Sequence, residues 1–148
     1  MARGERETAI RAALVTSRKA QDRDRTLVLT TILSAIENRR IDAGRDLGDD
    51  DVAEVLRKGI KQRQEAAEQF GAGGRAELAE REAQQVRVIE EFLPAPASTE
   101  EIRAAVRAAI AGGTRELGRV MGQVLPAFKG RADGRLVNQI AREELSGG

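Results

Sequence analysis

The sequence predicts an all-α protein: an N-terminal helical bundle of about four helices followed by a small three-helix bundle. Ala, Glu, Arg, Leu and Gln dominate the chain, and all are good helix formers. No clean alternation of apolar and polar residues runs for long, so the period of a strand is missing. Apolar residues recur instead at three- and four-residue spacing, in stretches separated by glycine or proline.

A first helix is expected over residues 6–20, with Ile10, Ala13 and Leu14 on one face. Asp22 and Asp24 open a second, which continues to about Ala43. Its apolar set (Val28, Leu29, Ile32, Leu33, Ala35, Ile36) forms a wide stripe, so this helix should be central. Gly44 and Gly48 bracket a turn, and Asp49, Asp50 and Asp51 suit the positive end of a third helix. That helix carries Val52, Val55, Leu56, Ile60 and Phe70, and GAGG at 71–74 breaks it. A fourth carries Leu78, Val86, Ile89 and Leu93.

The stretch FLPAPAST, residues 92–99, holds two of the three prolines, and helices end before such a stretch. Ser98 and Glu101 then form a capping box for a fifth helix bearing Ile102, Val106, Ala109 and Ile110, which stops at Gly112 and Gly113. A sixth helix carries Leu117, Val120, Met121, Val124, Leu125 and Phe128, with Pro126 expected to stop or kink it. Asp133 is the expected N-cap of the last helix, whose inward residues are Leu136, Val137, Ile140, Ala141 and Leu145. The expected division is a bundle over 1–93, a proline-containing joint over 94–97 and a three-helix unit over 98–148.

Composition narrows the function classes. The 148 residues suit one domain or two small ones, with 41% hydrophobic and 33% charged residues. The net charge is +1, so no global field draws the chain to nucleic acid or membrane, and any such binding has to come from a local patch. Cysteine and histidine are absent, which excludes disulfides, thiolate nucleophiles, Cys/His zinc sites and histidine acid–base catalysis. With no Tyr or Trp and only Phe70, Phe92 and Phe128, no platform for stacking single-stranded bases is expected. The opening MARGERETAI lacks an apolar core and no long apolar run occurs, so a cytoplasmic protein without membrane association is expected.

Catalytic motifs are missing too. None of the four serines lies in G-x-S-x-G, and no phosphate loop or dinucleotide fingerprint occurs. The carboxylates fall at helix-surface spacings beside arginines, the pattern of a solvated, ion-paired face. No catalytic residue, metal or cofactor is expected.

Two segments point to binding. In residues 118–139, Gly118 and Gly122 stand four apart on one face of the sixth helix, where each glycine costs about 1 kcal/mol relative to alanine. Either another helix packs closely there, or a ligand backbone approaches. Gly130 and Gly134 add exposed backbone at the following turn. Arg115, Arg119, Lys129, Arg131 and Arg135 stand against Glu116 and Asp133, a local charge of +3. The second segment, residues 56–70, carries Arg57, Lys58, Lys61 and Arg63 before the sign changes, with Lys58 and Lys61 on one face. Its plainer reading is an exposed amphipathic face.

Four stretches together resemble the GatB/YqeY family: GRVMGQVLPAFKGRADGRLVNQI, DRDRTLVLTTILSAIEN, KGIKQRQEAAEQF and EEFLP. Their order, their spacing and the proline joint agree over nearly the whole chain, which looks like the free-standing form. The resemblance implies two helical bundles. It also implies that the C-terminal unit, like the tail of the B subunit of the glutamine-dependent aspartyl/glutamyl-tRNA amidotransferase, can hold the elbow region of a tRNA while other domains do the chemistry. The family pattern falls on Gly118, Met121, Gly122, Gly130, Ala132, Asp133, Gly134 and Asn138, and the basic helix on Lys58, Lys61, Gln62 and Arg63. The second helix departs from it, lacking basic residues near Thr30 and Leu33, and Gly59 is unusual within the basic helix.

The expected function is a non-catalytic module for structured RNA, tRNA in particular, reading shape and phosphate without base or DNA specificity. Its expected contacts are Lys58, Lys61, Arg63, Arg115, Arg119, Lys129, Arg131, Arg135 and Asn138, with backbone approach at Gly118, Gly122, Gly130 and Gly134. One alternative is an accessory in amide transfer that works with an amidotransferase or tRNA synthetase partner. The family label of carbon–nitrogen ligase with glutamine as amido-N-donor would then describe the partner's chemistry, since this chain is not expected to be an enzyme alone. The other alternative is a helical protein–protein adaptor.

Overall fold

The computed structural model describes residues 3–147; residues 1, 2 and 148, which the expected domain bounds include, lie outside the described residues. The described chain is all-helical, and it divides into two compact units, Met1–Leu93 and Pro94–Gly148.

The first unit contains α1 (Glu5–Lys19), α2 (Arg23–Ala43), α3 (Asp49–Ala72) and α4 (Ala76–Glu90). Capping chemistry sets the ends of α2. The Asp22 carboxylate accepts the Arg25 N–H at 3.1 Å. At the other end Gly44 adopts the left-handed conformation (φ +64°) and returns its N–H to the Arg40 carbonyl at 3.0 Å. The start of α3 collects Asp49, Asp50 and Asp51 at the positive end of its dipole, and Asp51 accepts the Gly48 N–H at 3.0 Å. Gly73 and Gly74 end α3, as expected of GAGG.

α2 supplies five buried apolar side chains to this core: Val28, Leu29, Ile32, Leu33 and Ile36. Ile10 and Leu14 of α1, Val52 and Leu56 of α3 and Ile89 of α4 close around it. The sequence reading missed six other buried positions in this unit, Ser17 and Ala53 among them. Leu47, between α2 and α3, turns into the core, and Glu7 and Arg40 are buried as a charged pair. Gly59 is buried as well. A Cβ there would stand 3.2 Å from Ile32 Cδ1 and 3.3 Å from Arg63 Nη1, so the glycine lets α2 and α3 approach.

The second unit contains α5 (Thr99–Ala111), α6 (Leu117–Val124), a 3₁₀ turn (Leu125–Phe128) and α7 (Gly134–Gly147). The Ser98–Glu101 capping box forms, with the Glu101 N–H 3.0 Å from Ser98 Oγ and the Ser98 N–H 3.4 Å from Glu101 Oε1. Helix α6 is shorter than its apolar pattern suggests. Pro126 cannot donate a helical hydrogen bond, so the chain tightens into the 3₁₀ turn. Leu125 thereby leaves the core, while Phe128 stays in it. Asp133 opens α7, its carboxylate accepting the Arg135 N–H at 2.9 Å and its carbonyl the Val137 N–H at 3.2 Å. Ile102, Val106, Val120, Val124, Val137 and Ile140 form the separate core of this unit.

Candidate nucleic-acid interface

In the second unit, α6 and the turn that follows it place most of the expected cations. The first turn of α6 has no side-chain cap, unlike those of α2 and α5. The N–H groups of Leu117, Gly118 and Arg119 therefore make no capping bond, and Arg115 and Arg119 stand exposed beside them. Uncapped N–H groups at the positive end of a helix dipole favour an anion. Arg119 lies 3.4 Å from Glu116, but both are highly exposed, and such pairs hold weakly.

Gly118 and Gly122 are exposed, and a Cβ built on either meets nothing within 4 Å. No neighbouring helix packs on them, so the packing alternative does not hold. Their face is a strip of open backbone. Beyond it Gly130 takes a left-handed conformation (φ +78°), and the N–H groups of Gly130 and Gly134 make no hydrogen bond among the described residues. Exposed Lys129 and Arg135 flank this turn, and neither side chain has an ion-pair partner among the described residues.

Arg131 is held differently. Its Nη2 donates to Glu101 Oε2 at 2.9 Å and its Nε to the Ala95 carbonyl at 3.1 Å. Its guanidinium lies 6.0 Å from the centroid of the Phe128 ring, and its carbonyl accepts the Ala97 N–H at 2.8 Å. Arg131 thus fastens the 94–97 segment to the turn. Its hydrogen bond, with that from Ser98, holds the Glu101 carboxyl below its usual range. Asn138 is engaged too, its Oδ1 accepting from Arg142 Nε at 2.8 Å. Ala95 and Glu101 are distant from the glycine pattern in sequence, which is why that pattern did not reveal them; Arg142 stands one helical turn from Asn138.

In the first unit, Lys58 and Lys61 are exposed on α3, without ion-pair partners among the described residues. Arg63 is half-buried. Its Nε donates to Gln85 Oε1 at 2.9 Å and its Nη1 to the Gly59 carbonyl at 3.0 Å. Burial lowers the pKa of its guanidinium. Gly59, unusual in the sequence, is the residue that makes room for it. A groove of about 530 Å³ runs between α2 and α3 beside these side chains. Among the described residues no helix is long and apolar enough to cross a membrane.

A family model matches this chain over most of its length, and curated relatives match about half of it or somewhat more. A family model described as Yqey-like protein covers residues 7–145. An uncharacterized protein of Schizosaccharomyces pombe is 38% identical over 92 residues, covering 62% of this chain and 75% of that protein. The mitochondrial protein "altered inheritance of mitochondria protein 41" of Lachancea thermotolerans is 36% identical over 75 residues, covering 50% of this chain and 40% of that protein. The match of the family model over nearly all of both units shows that the chain belongs to the YqeY-like family.

Proposed function

We propose that the chain is a non-catalytic binding module for structured RNA, with tRNA as its ligand. The observation that carries this reading is the uncapped start of α6, where free N–H groups, the open face of Gly118 and Gly122, and the exposed Arg115 and Arg119 converge. Arginine pairs with phosphate in a planar, two-pronged geometry, and glycine lets a sugar–phosphate backbone come close. Lys129 and Arg135 extend the same charge to the next turn. Recognition of this kind reads shape and phosphate, not bases. The likeness to the tail of the amidotransferase B subunit supports tRNA over other structured RNAs. On this reading amide transfer belongs to a catalytic partner, and the site of action is the cytoplasm.

A filter-binding titration of the purified protein against tRNA tests the reading. Affinity should fall steeply with salt, and the variant Arg115→Ala/Arg119→Ala/Arg135→Ala should flatten the salt slope by about 1 for each phosphate contact removed. Arg131 is a poor probe, because its loss also releases Glu101 and the 94–97 segment. No tRNA affinity at low salt, or unchanged affinity in the triple variant, would overturn the assignment.

A further inference from the structure

The stretch that leaves α4 is held by the first unit as far as Leu93. The Phe92 N–H bonds the Ile89 carbonyl at 3.0 Å and the Leu93 N–H the Glu90 carbonyl at 3.2 Å, so a tight helix-like turn continues past the end of α4. Phe92 and Leu93 pack against the first core. Two arginines hold the same residues from other helices. Arg6 Nη1 of α1 donates to the Phe92 carbonyl at 2.7 Å. Arg25 of α2 grips the Glu91 carboxylate with both prongs, at 2.7 and 3.3 Å, which fixes direction as well as distance.

The second unit takes hold almost at once. Arg131 Nε donates to the Ala95 carbonyl, the Arg131 carbonyl accepts the Ala97 N–H, and Ala97 packs against the second core. The Arg131 head is itself held by Glu101 and lies over the Phe128 ring. Each of these interactions is weak at a part-exposed site, and together they tie the segment at two points. Between the two sets of ties, Pro94 is exposed and the Ala95 N–H makes no hydrogen bond among the described residues. A proline fixes its own φ and keeps the residue before it extended, so Pro94 and Pro96 leave few torsions to turn.

We infer that the chain turns between its units at one point, from Leu93 to the Ala95 carbonyl, and that Arg131 is the clasp that keeps this turning point short. Without the clasp the loose stretch runs on to Ser98, where the capping box of α5 takes over. The inference stands apart from the RNA reading: it gives Arg131 a task within the protein and leaves the exposed cations of α6 untouched.

Nitrogen-15 relaxation of the full chain tests this through backbone order parameters. The prolines have no amide, which leaves Leu93, Ala95 and Ala97 as reporters. In the parent, Leu93 and Ala97 should be as ordered as a rigid backbone, about 0.85, and Ala95 alone should fall below about 0.6. Arg131→Ala should widen the dip to take in Ala97. Glu101→Gln keeps a residue that serves a capping box and should widen it less. Leu93 should stay unchanged in both variants. An ordered Ala95, or a dip that already spans Ala97 in the parent, would overturn the inference, as would an Ala97 unmoved in both variants. Should Arg131→Ala loosen all of α5, α6 and α7, Glu101→Gln decides. The same spread there overturns the inference, because Arg131 then holds the unit and not the joint; a change confined to Ala97 upholds it.

Discussion

The carboxylate of Glu7 lies wholly inside the first unit, where Arg11 Nε donates to it at 3.0 Å and Arg40 Nη2 donates to its other oxygen. Arg40 is itself buried and also pairs with Glu37. Removing Glu7 leaves buried Arg40 with only the exposed Glu37 as partner, and an undercompensated buried charge is more damaging than the pair's net worth. Glu7→Gln should therefore destabilise the first unit by about 3–5 kcal/mol, read from urea denaturation. Nothing local in the sequence marked Glu7: it looks like any acidic residue in the first turn of a helix, and its partner Arg40 is 33 positions away. Arg131 shows the same limit. Its charge was legible, but its engagement by Glu101 was not, because the capping box explained Glu101 without it.

Among the elements, α6 joins stability most directly to the proposed function. Gly118 and Gly122 sit in a helix with open space where a side chain would go. Gly118→Ala and Gly122→Ala should each stabilise the second unit by about 1 kcal/mol, through better helix propensity, while weakening tRNA binding. Thermal denaturation and filter binding on the same variants separate the two effects; gained stability with unchanged affinity would count against backbone approach. The start of α3 carries a pH dependence. Hydrogen bonds from Arg45, and then from the Gly48 N–H, lower the Asp51 pKa to about 2. A carboxyl with a depressed folded pKa contributes stability above its unfolded pKa, near 4, and loses it as pH falls through about 2. Acid titration of Asp51→Asn should lack that part of the loss between about pH 4 and pH 2.

For the whole molecule, the decisive feature is that each unit closes its own core. Ile102 is fully buried in the second, against Val106, Val120 and Ile140 among others. A unit of this size buries little surface and is marginal. Ile102→Ala, a loss of about 2–5 kcal/mol, should be enough to unfold it while the first unit keeps its helices. Hydrogen exchange checks this by amide protection: it should vanish across α5, α6 and α7 and persist across α2 and α3. Protection lost throughout the chain would mean that the two cores fold as one.

What the sequence determined by itself was local in origin. Helix ends follow from caps, glycines and prolines within a few residues, so α1 was expected over 6–20 and lies at Glu5–Lys19, and α2 was expected to reach Ala43 and does. Helix faces follow from the 3.6-residue period, so the core lists agree closely. The family could be read the same way, because its pattern lies in contiguous stretches. Only the tertiary structure decided which charges are spent inside the protein and which are left unpaired. Glu7, Arg40 and Arg131 are engaged by residues remote in the chain, while Arg115, Lys129 and Arg135 are not. It also decided that the glycine face of α6 stays open, and that α2 and α3 leave a groove between them. The reason is physical: side-chain pairing depends on distance in space, and distance in space between remote residues is set by how helices pack, which no local pattern encodes.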